Sequence, residues 1–176
     1  MTGELPNREQ ALKILEDHNC PPQVINHCKA VSKFAIEIAN KIYTRGNKIN
    51  LNLVEIGALL HDIGRSKTHN VEHAIVGAQI GQTIGLPLQV VNIIKRHVGA
   101  GISEEEAVML GWPRDNYMPT TLEEKVVTYA DKRVDHDSVI PIDGEIKKLQ
   151  ANGFLEAAER VRKLHSEISY LLGEIP

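Results

Sequence analysis

The sequence predicts an all-α fold, a bundle of helices around an aliphatic core. Three observations predict it. Apolar residues recur at three- and four-residue steps along most of the chain. Capping boxes, in which a Ser or Thr is followed three residues on by Glu, occur at Ser103 with Glu106 and at Thr121 with Glu124. No two alternating runs joined by a turn suggest a sheet.

Asn7 is placed to cap a first helix reaching about Asn19, with Leu12 and Leu15 inward. Pro22 suits the first turn of a long second helix ending near Gly46. Its apolar stripe is Val24, Cys28, Val31, Ala35, Ile38 and Ile42, and His27 falls on the same side. Asn52 with Glu55 resembles a capping box opening a third helix through Leu60. That helix ends in His61-Asp62-Ile63-Gly64, where Gly64 is a natural terminator. A fourth helix is expected from near Val71 to Gly85, with Gly77 and Gly81 on one face for close packing. Pro87 opens a fifth, which carries Val90, Val91, Ile94 and finally His97. A short helix after Ser103 ends at Gly111, and Trp112 to Thr120 reads as a packed surface loop, with an aromatic cover that stacks on a ligand as the alternative. Thr121 opens a helix bearing Val126, Val127, Ala130 and Val134. Beyond a loop over 136–142, a C-terminal helical pair closes on Leu155, Ala158, Val161, Leu164, Ile168 and Leu171. The expected organisation is one domain over 1–176, with its core at about 22–135 and 136–176 as a helical appendage.

Composition narrows the class. With 176 residues, 42% hydrophobic and 24% charged, the chain reads as one soluble globular domain. Aromatics are only 4%, so the core must be aliphatic. A net charge of −3 argues against a duplex nucleic-acid partner, though it allows a small basic pocket. No run approaches the ~18 apolar residues of a membrane span, and no basic segment followed by an apolar one marks a secretory signal. Cys20 and Cys28 are too few for a disulfide scaffold and form no CxxC, so reduced thiols in a cytoplasmic protein are expected. Homodimerisation is left open.

Eight histidines remain to be explained. His61 and Asp62 are adjacent at a helix end. Neighbouring helical residues point about 100° apart, so a helix body cannot easily aim both at one metal, whereas a terminus with a Gly break can. Alone, such a pair more often serves the helix dipole and faces water. The context adds His27 on an apolar face, His73 in a first turn, His97 at a helix end and Asp131 mid-helix, where an unpaired buried carboxylate is costly. Imidazoles and carboxylates thus come from five helices, a donor mix suited to Fe, Mn, Co, Ni or Zn. His69, four residues before His73, is an alternative to it. His18, His136 and His165 sit in polar surroundings and read as surface residues. Basic residues adjoin the candidate ligands: Arg65 and Lys67, Lys95 and Arg96, Lys132 and Arg133. Arg65, Arg96 and Lys132 are the candidate contacts to an anionic substrate. Lys67 and Arg133 read as solvated.

This series resembles the HD-domain superfamily of metal-dependent phosphohydrolases. The motifs are His27, the doublet in Leu60-His61-Asp62-Ile63-Gly64, and Asp131 in Tyr129-Ala130-Asp131-Lys132. His73-Ala74-Ile75-Val76-Gly77-Ala78 and Arg96-His97-Val98-Gly99 look like the extra histidine motifs of its two-metal branch. The resemblance implies a helical bundle with a metal site at its centre. It implies His27, His61, Asp62 and Asp131 around one divalent transition-metal ion, and His73 and His97 around a second, with Asp62 bridging. Catalysis would fall to Asp62, Arg65 and Lys132, and substrate binding to Arg65, Arg96 and Lys132. The implied reaction is hydrolysis of a phosphate ester or phosphoanhydride of a nucleotide-like small molecule by metal-activated water. Alternatives from the same ligand set are a di-iron oxygenase and a non-catalytic nucleotide sensor.

Overall fold

The computed structural model describes residues 3–174, among which nine α-helices form. They are α1 (Arg8–Asp17), α2 (Pro22–Thr44), α3 (Leu51–Leu60), α4 (His73–Thr83), α5 (Leu88–Arg96), α6 (Glu104–Met109), α7 (Leu122–Lys132), α8 (Ile142–Ala151) and α9 (Leu155–Leu172). The caps follow side-chain chemistry. Asn7 and Gln10 form a reciprocal box at α1, as do Ser103 with Glu106 at α6 and Thr121 with Glu124 at α7. α3 departs from expectation: its cap is Asn50, whose side chain accepts from the Leu53 backbone N–H at 3.1 Å. Asn52 already lies inside the helix, and the Glu55 carboxylate is turned outward to Arg8 at 2.7 Å.

A small antiparallel ribbon, absent from the sequence reading, pairs β1 (Val134–Asp135) with β2 (Ser138–Val139). Two-residue strands are too short to show alternation. The turn is made by His136 in the left-handed region at φ 55°.

Amphipathic α2 packs on both α3 and α7, and the aliphatic interior divides around it. One cluster joins Val31, Ile38, Ile42, Val54 and Val127 to Val161, Leu164 and Ile168 of α9. The C-terminal helix is therefore built into the main core. The other cluster joins Leu15, Val24, Cys28, Leu59, Leu60, Val90 and Ile94. Each fully buried Leu, Ile or Val of this kind contributes about 1.5–3 kcal/mol. A satellite cluster packs Trp112 against Tyr117, ring centroids 5.1 Å apart, so the 112–120 loop is a packed one as expected.

Gly64 sets how closely α4 approaches the end of α3. A Cβ there would lie 1.9 Å from the His73 carbonyl oxygen and 2.7 Å from the Gly77 nitrogen. Only a hydrogen fits, so the glycine is required by contact with α4. Among the described residues no helix is long and apolar enough to cross a membrane.

Candidate metal centre

α3 delivers His61 in helical conformation, and the chain then leaves the helix at Asp62 (φ −101°, ψ 14°) into a 3-10 turn over Ile63–Ser66. The break swings the Asp62 carboxylate onto the side that His61 faces. His73 opens α4, His97 ends α5, His27 lies on α2 and Asp131 on α7. Their ring nitrogens and carboxylate oxygens converge. His27 Nε2 is 3.0 Å from Asp131 Oδ1, and His61 Nε2 is 3.4 Å from the same oxygen. His73 Nε2 and His97 Nε2 lie 3.1 and 3.4 Å from Asp62 Oδ1.

Three of the rings have their proton position fixed by their own turn of chain. Nδ1 of His61, His73 and His97 lies 2.7, 2.6 and 2.7 Å from the carbonyl three residues earlier, of Ala58, Asn70 and Ile94. A carbonyl only accepts, so Nδ1 carries the hydrogen and, in the neutral ring, Nε2 presents a lone pair. His73 Nε2 and His97 Nε2 face each other at 3.0 Å. Two lone pairs at that distance repel unless a proton or cation lies between or beside them. His61 Nε2 and Asp62 Oδ1 are buried without an aligned hydrogen-bond partner among the described residues. An unpartnered ring nitrogen beside an unpartnered carboxylate oxygen, both buried at one centre, makes a place for a proton or a cation. Two groups have ligand atoms within 4.8 Å of one another: His27, His61 and Asp131, and His61, Asp62 and His97.

Burial opposes charge at both carboxylates, but the neighbours prevail. His61, His73 and His97 hold the Asp62 carboxyl well below its ordinary range. Lys132, His27 and His61 do the same for Asp131. Burial also opposes charge on His61, yet Asp62 and its other neighbours keep its affinity for a proton well above normal. Burial pushes His97 down to about 4, leaving it neutral at pH 7. Cys28 is wholly buried beside His61, and that burial pushes its thiol up.

The outer carboxylate oxygens are held by cations. Arg65 Nε donates to Asp62 Oδ2 at 2.6 Å, and Lys132 Nζ donates to Asp131 Oδ2 at 2.7 Å. These groups form the floor of an open cleft of ≈510 Å³, walled by Val134, Asp135, Ile140, Gly144, Glu145 and Lys148. Small-molecule ligands occupy clefts of this order.

The HD-domain profile matches residues 24–134, more than half of the chain. The chain belongs to the HD-domain family. As an HD domain it is 43% identical over 166 residues to an uncharacterized protein of Methanocaldococcus jannaschii, covering 93% of this chain and 98% of that one. It is 39% identical over 170 residues to a tRNA (cytidine(56)-2'-O)-methyltransferase of Thermoplasma volcanium, covering 97% of this chain but 49% of that one. The chain thus spans about half the length of that methyltransferase. In fold it is similar to the crystal structure of the PgpH phosphodiesterase HD domain of L. monocytogenes in complex with cyclic-di-AMP. The TM-score is 0.58 at 20% identity, covering 93% of this chain and 96% of that one.

The HD domain brings together His27, His61, Asp62, His73, His97, Asp131, Arg65 and Lys132. It does not bring Arg96 to the cleft. That guanidinium donates to Glu124 at 2.8 and 3.0 Å, to Thr120 Oγ1 at 3.0 Å and to the Asn116 carbonyl at 3.1 Å, pinning the 112–120 loop to α7. Charge at a helix end was its only signal, and a buried Glu124 accounts for that charge. His69 is exposed and Lys67 is solvated, whereas Arg133 is not: it donates to Tyr129 Oη at 2.7 Å and to the Ile140 carbonyl. His136 is exposed and His18 half-buried. His165 departs from the surface reading, stacking on Tyr129 with centroids 5.7 Å apart. Sequence reasoning missed the wall formed by α8. Ile142 and Ile146 turn that helix inward, which leaves Gly144, Glu145 and Lys148 on another face. Which neighbour that face meets is decided by tertiary docking alone.

Proposed function

We propose that this HD domain is a divalent-metal phosphohydrolase that cleaves a phosphate ester or phosphoanhydride of a nucleotide. The observation that carries this reading is the pair of Nε2 atoms 3.0 Å apart, both directed at Asp62 Oδ1, with their hydrogens committed to backbone carbonyls on the far side. In this reading His27, His61 and Asp131 would hold one ion, His73 and His97 would hold another, and Asp62 would serve both. Bound divalent ions would supply water activation at neutral pH and neutralise charge on the phosphoryl group.

The chain's own residues supply the rest. Arg65 fixes the Asp62 carboxylate through Nε and has further N–H donors to offer a phosphoryl oxygen. Lys132 fixes Asp131 in the same way and, being at the cleft, adds a second cation. These donors are in place before a substrate arrives, so little reorganisation is needed as charge develops. The cyclic-di-AMP bound by the L. monocytogenes neighbour is a nucleotide and supports that substrate class. No duplex nucleic-acid partner is proposed, in line with a net charge of −3.

The test is turnover of a nucleotide panel with Mn, Co, Ni, Fe, Zn and Mg. Metal-dependent release of phosphate or of a shorter nucleotide, abolished by chelation, supports the reading. Oxygen consumption would indicate oxygenase chemistry instead. Nucleotide binding without turnover under every metal would overturn hydrolysis in favour of sensing.

A further inference from the structure

The cleft has a cation that the metal site does not use. Arg65 and Lys132 each hold the outer oxygen of a ligand-candidate aspartate. Lys148, one turn beyond Gly144 on the same face of α8, also lines the cleft. Its ammonium makes no ion pair and no side-chain hydrogen bond among the described residues, and the residue is exposed. An anion filling the floor of the cleft would meet Arg65 and Lys132 first, which leaves Lys148 for a second anionic group.

The wall that carries Lys148 is not uniformly basic. Glu145 shares it and is turned towards Lys132 closely enough to favour that ammonium's charge. A carboxylate repels a phosphate but accepts readily from a hydroxyl. At Gly144 an added Cβ would meet nothing within 4 Å, so the wall has open space there. Cations on the floor and on the wall of one cleft, with a hydroxyl acceptor and open space on that wall, suit two phosphates joined through a sugar. They suit a bare polyphosphate chain less well.

We propose that Lys148 on α8 binds a second phosphate of the substrate, which makes this cleft selective for nucleotides bearing phosphates on both sides of a ribose. The end of a polynucleotide and a nucleoside bisphosphate share that chemistry. The proposal rests on the phosphohydrolase reading for its catalytic part only, because selectivity is read first by binding.

The experiment measures binding of adenosine 3',5'-bisphosphate, AMP and pyrophosphate to the Mn-loaded full chain by calorimetry, then their hydrolysis. Wild type is expected to bind the bisphosphate at least 10-fold tighter than AMP or pyrophosphate, since one charge-assisted contact corresponds to roughly 10- to 100-fold. Lys148→Ala should bring the bisphosphate to within about 2-fold of AMP. Lys148→Arg should retain most of the preference, and Lys148→Glu should reverse it. Lys148 is exposed, so these variants should fold, and circular dichroism would verify it. A preference that survives in Lys148→Ala, or a wild type without one, overturns the proposal. Lys148-dependent binding of the bisphosphate sustains the proposal whether or not these probes turn over, and the nucleotide and metal panel decides the phosphohydrolase reading.

Discussion

Asp62 is the side chain on which the candidate site turns, because its Oδ1 faces both His73 and His97 and its Oδ2 is held by Arg65. Asp62→Ala is expected to remove bound metal and activity while circular dichroism stays helical, since the carboxylate sits at a helix end outside the aliphatic clusters. Full metal content by mass spectrometry would refute this. Arg65 acts on the same carboxylate from outside. Arg65→Ala should therefore weaken metal affinity by roughly 10- to 100-fold, the usual effect of losing an outer hydrogen-bond partner, as well as lower kcat/KM. Arg65→Lys should recover part of both, and unchanged metal affinity would show that the ion pair is incidental. His97 carries a pH dependence. Folded, its ring stays neutral down to about 4, while in the unfolded chain it protonates near 6.5. Between those values the unfolded state binds the extra proton. The metal-free protein should therefore lose stability as pH falls from about 6.5 to about 4, by roughly 3 kcal/mol from this group. Urea denaturation of chelated wild type and His97→Gln should differ in slope across that window, and parallel curves would rule the effect out.

At the scale of elements, the doublet was legible in the sequence because it sets two donors at a helix end. Gly64 does not terminate α3, which ends at Leu60; it lies inside the 3-10 turn over Ile63–Ser66, and its hydrogen is in contact with the backbone of α4. Gly64→Ala forces α4 away and with it His73, at an expected cost of about 2–3 kcal/mol. For a chain of this size that lowers Tm by roughly 4–12 °C, and thermal unfolding with a metal assay would show both effects together. An unshifted Tm would mean that α4 can move freely. Where elements begin was less legible. Asn50 and Asn52 offer the same side chain two residues apart, and only the backbone ahead of Leu51 decides which caps α3. The β1–β2 ribbon left no periodic signal, and the sequence reading expected a helix ahead of α9 without naming the inward residues of α8, Ile142 and Ile146, or the surface it walls.

For the whole molecule, the family match ends at residue 134, yet the core does not. Ile168 on α9 is fully buried and belongs to the same cluster as Val31 and Val127. Ile168→Ala should cost about 2–5 kcal/mol, as a truncated side chain in a central core does, and chemical denaturation would measure it. A loss near zero would show that α9 is only laid against the domain. Of the inward residues the sequence reading named on α9, Ala158, Val161, Leu164 and Ile168 are buried, Leu171 is half-buried and Leu155 is exposed, and the reading took 136–176 as an appendage where α9 shares the main core. Amphipathic periodicity names a buried face without naming what it is buried against.

The three histidines whose Nδ1–H is tied to the carbonyl three residues back have a consequence for which ion the candidate centre would take up. Donors already aligned by their own local turns need no help from an ion to fold into place, so loading is decoupled from biosynthesis. The set contains imidazole and carboxylate but no thiolate directed at the centre, and such donors rank divalent ions by the general affinity series more than by any shape of their own. Occupancy would then follow the relative abundance of ions in the surrounding compartment. The metal recovered from purified protein would report on the growth medium and host as much as on the protein, and growth under a single supplied metal would be the way to compare ions fairly.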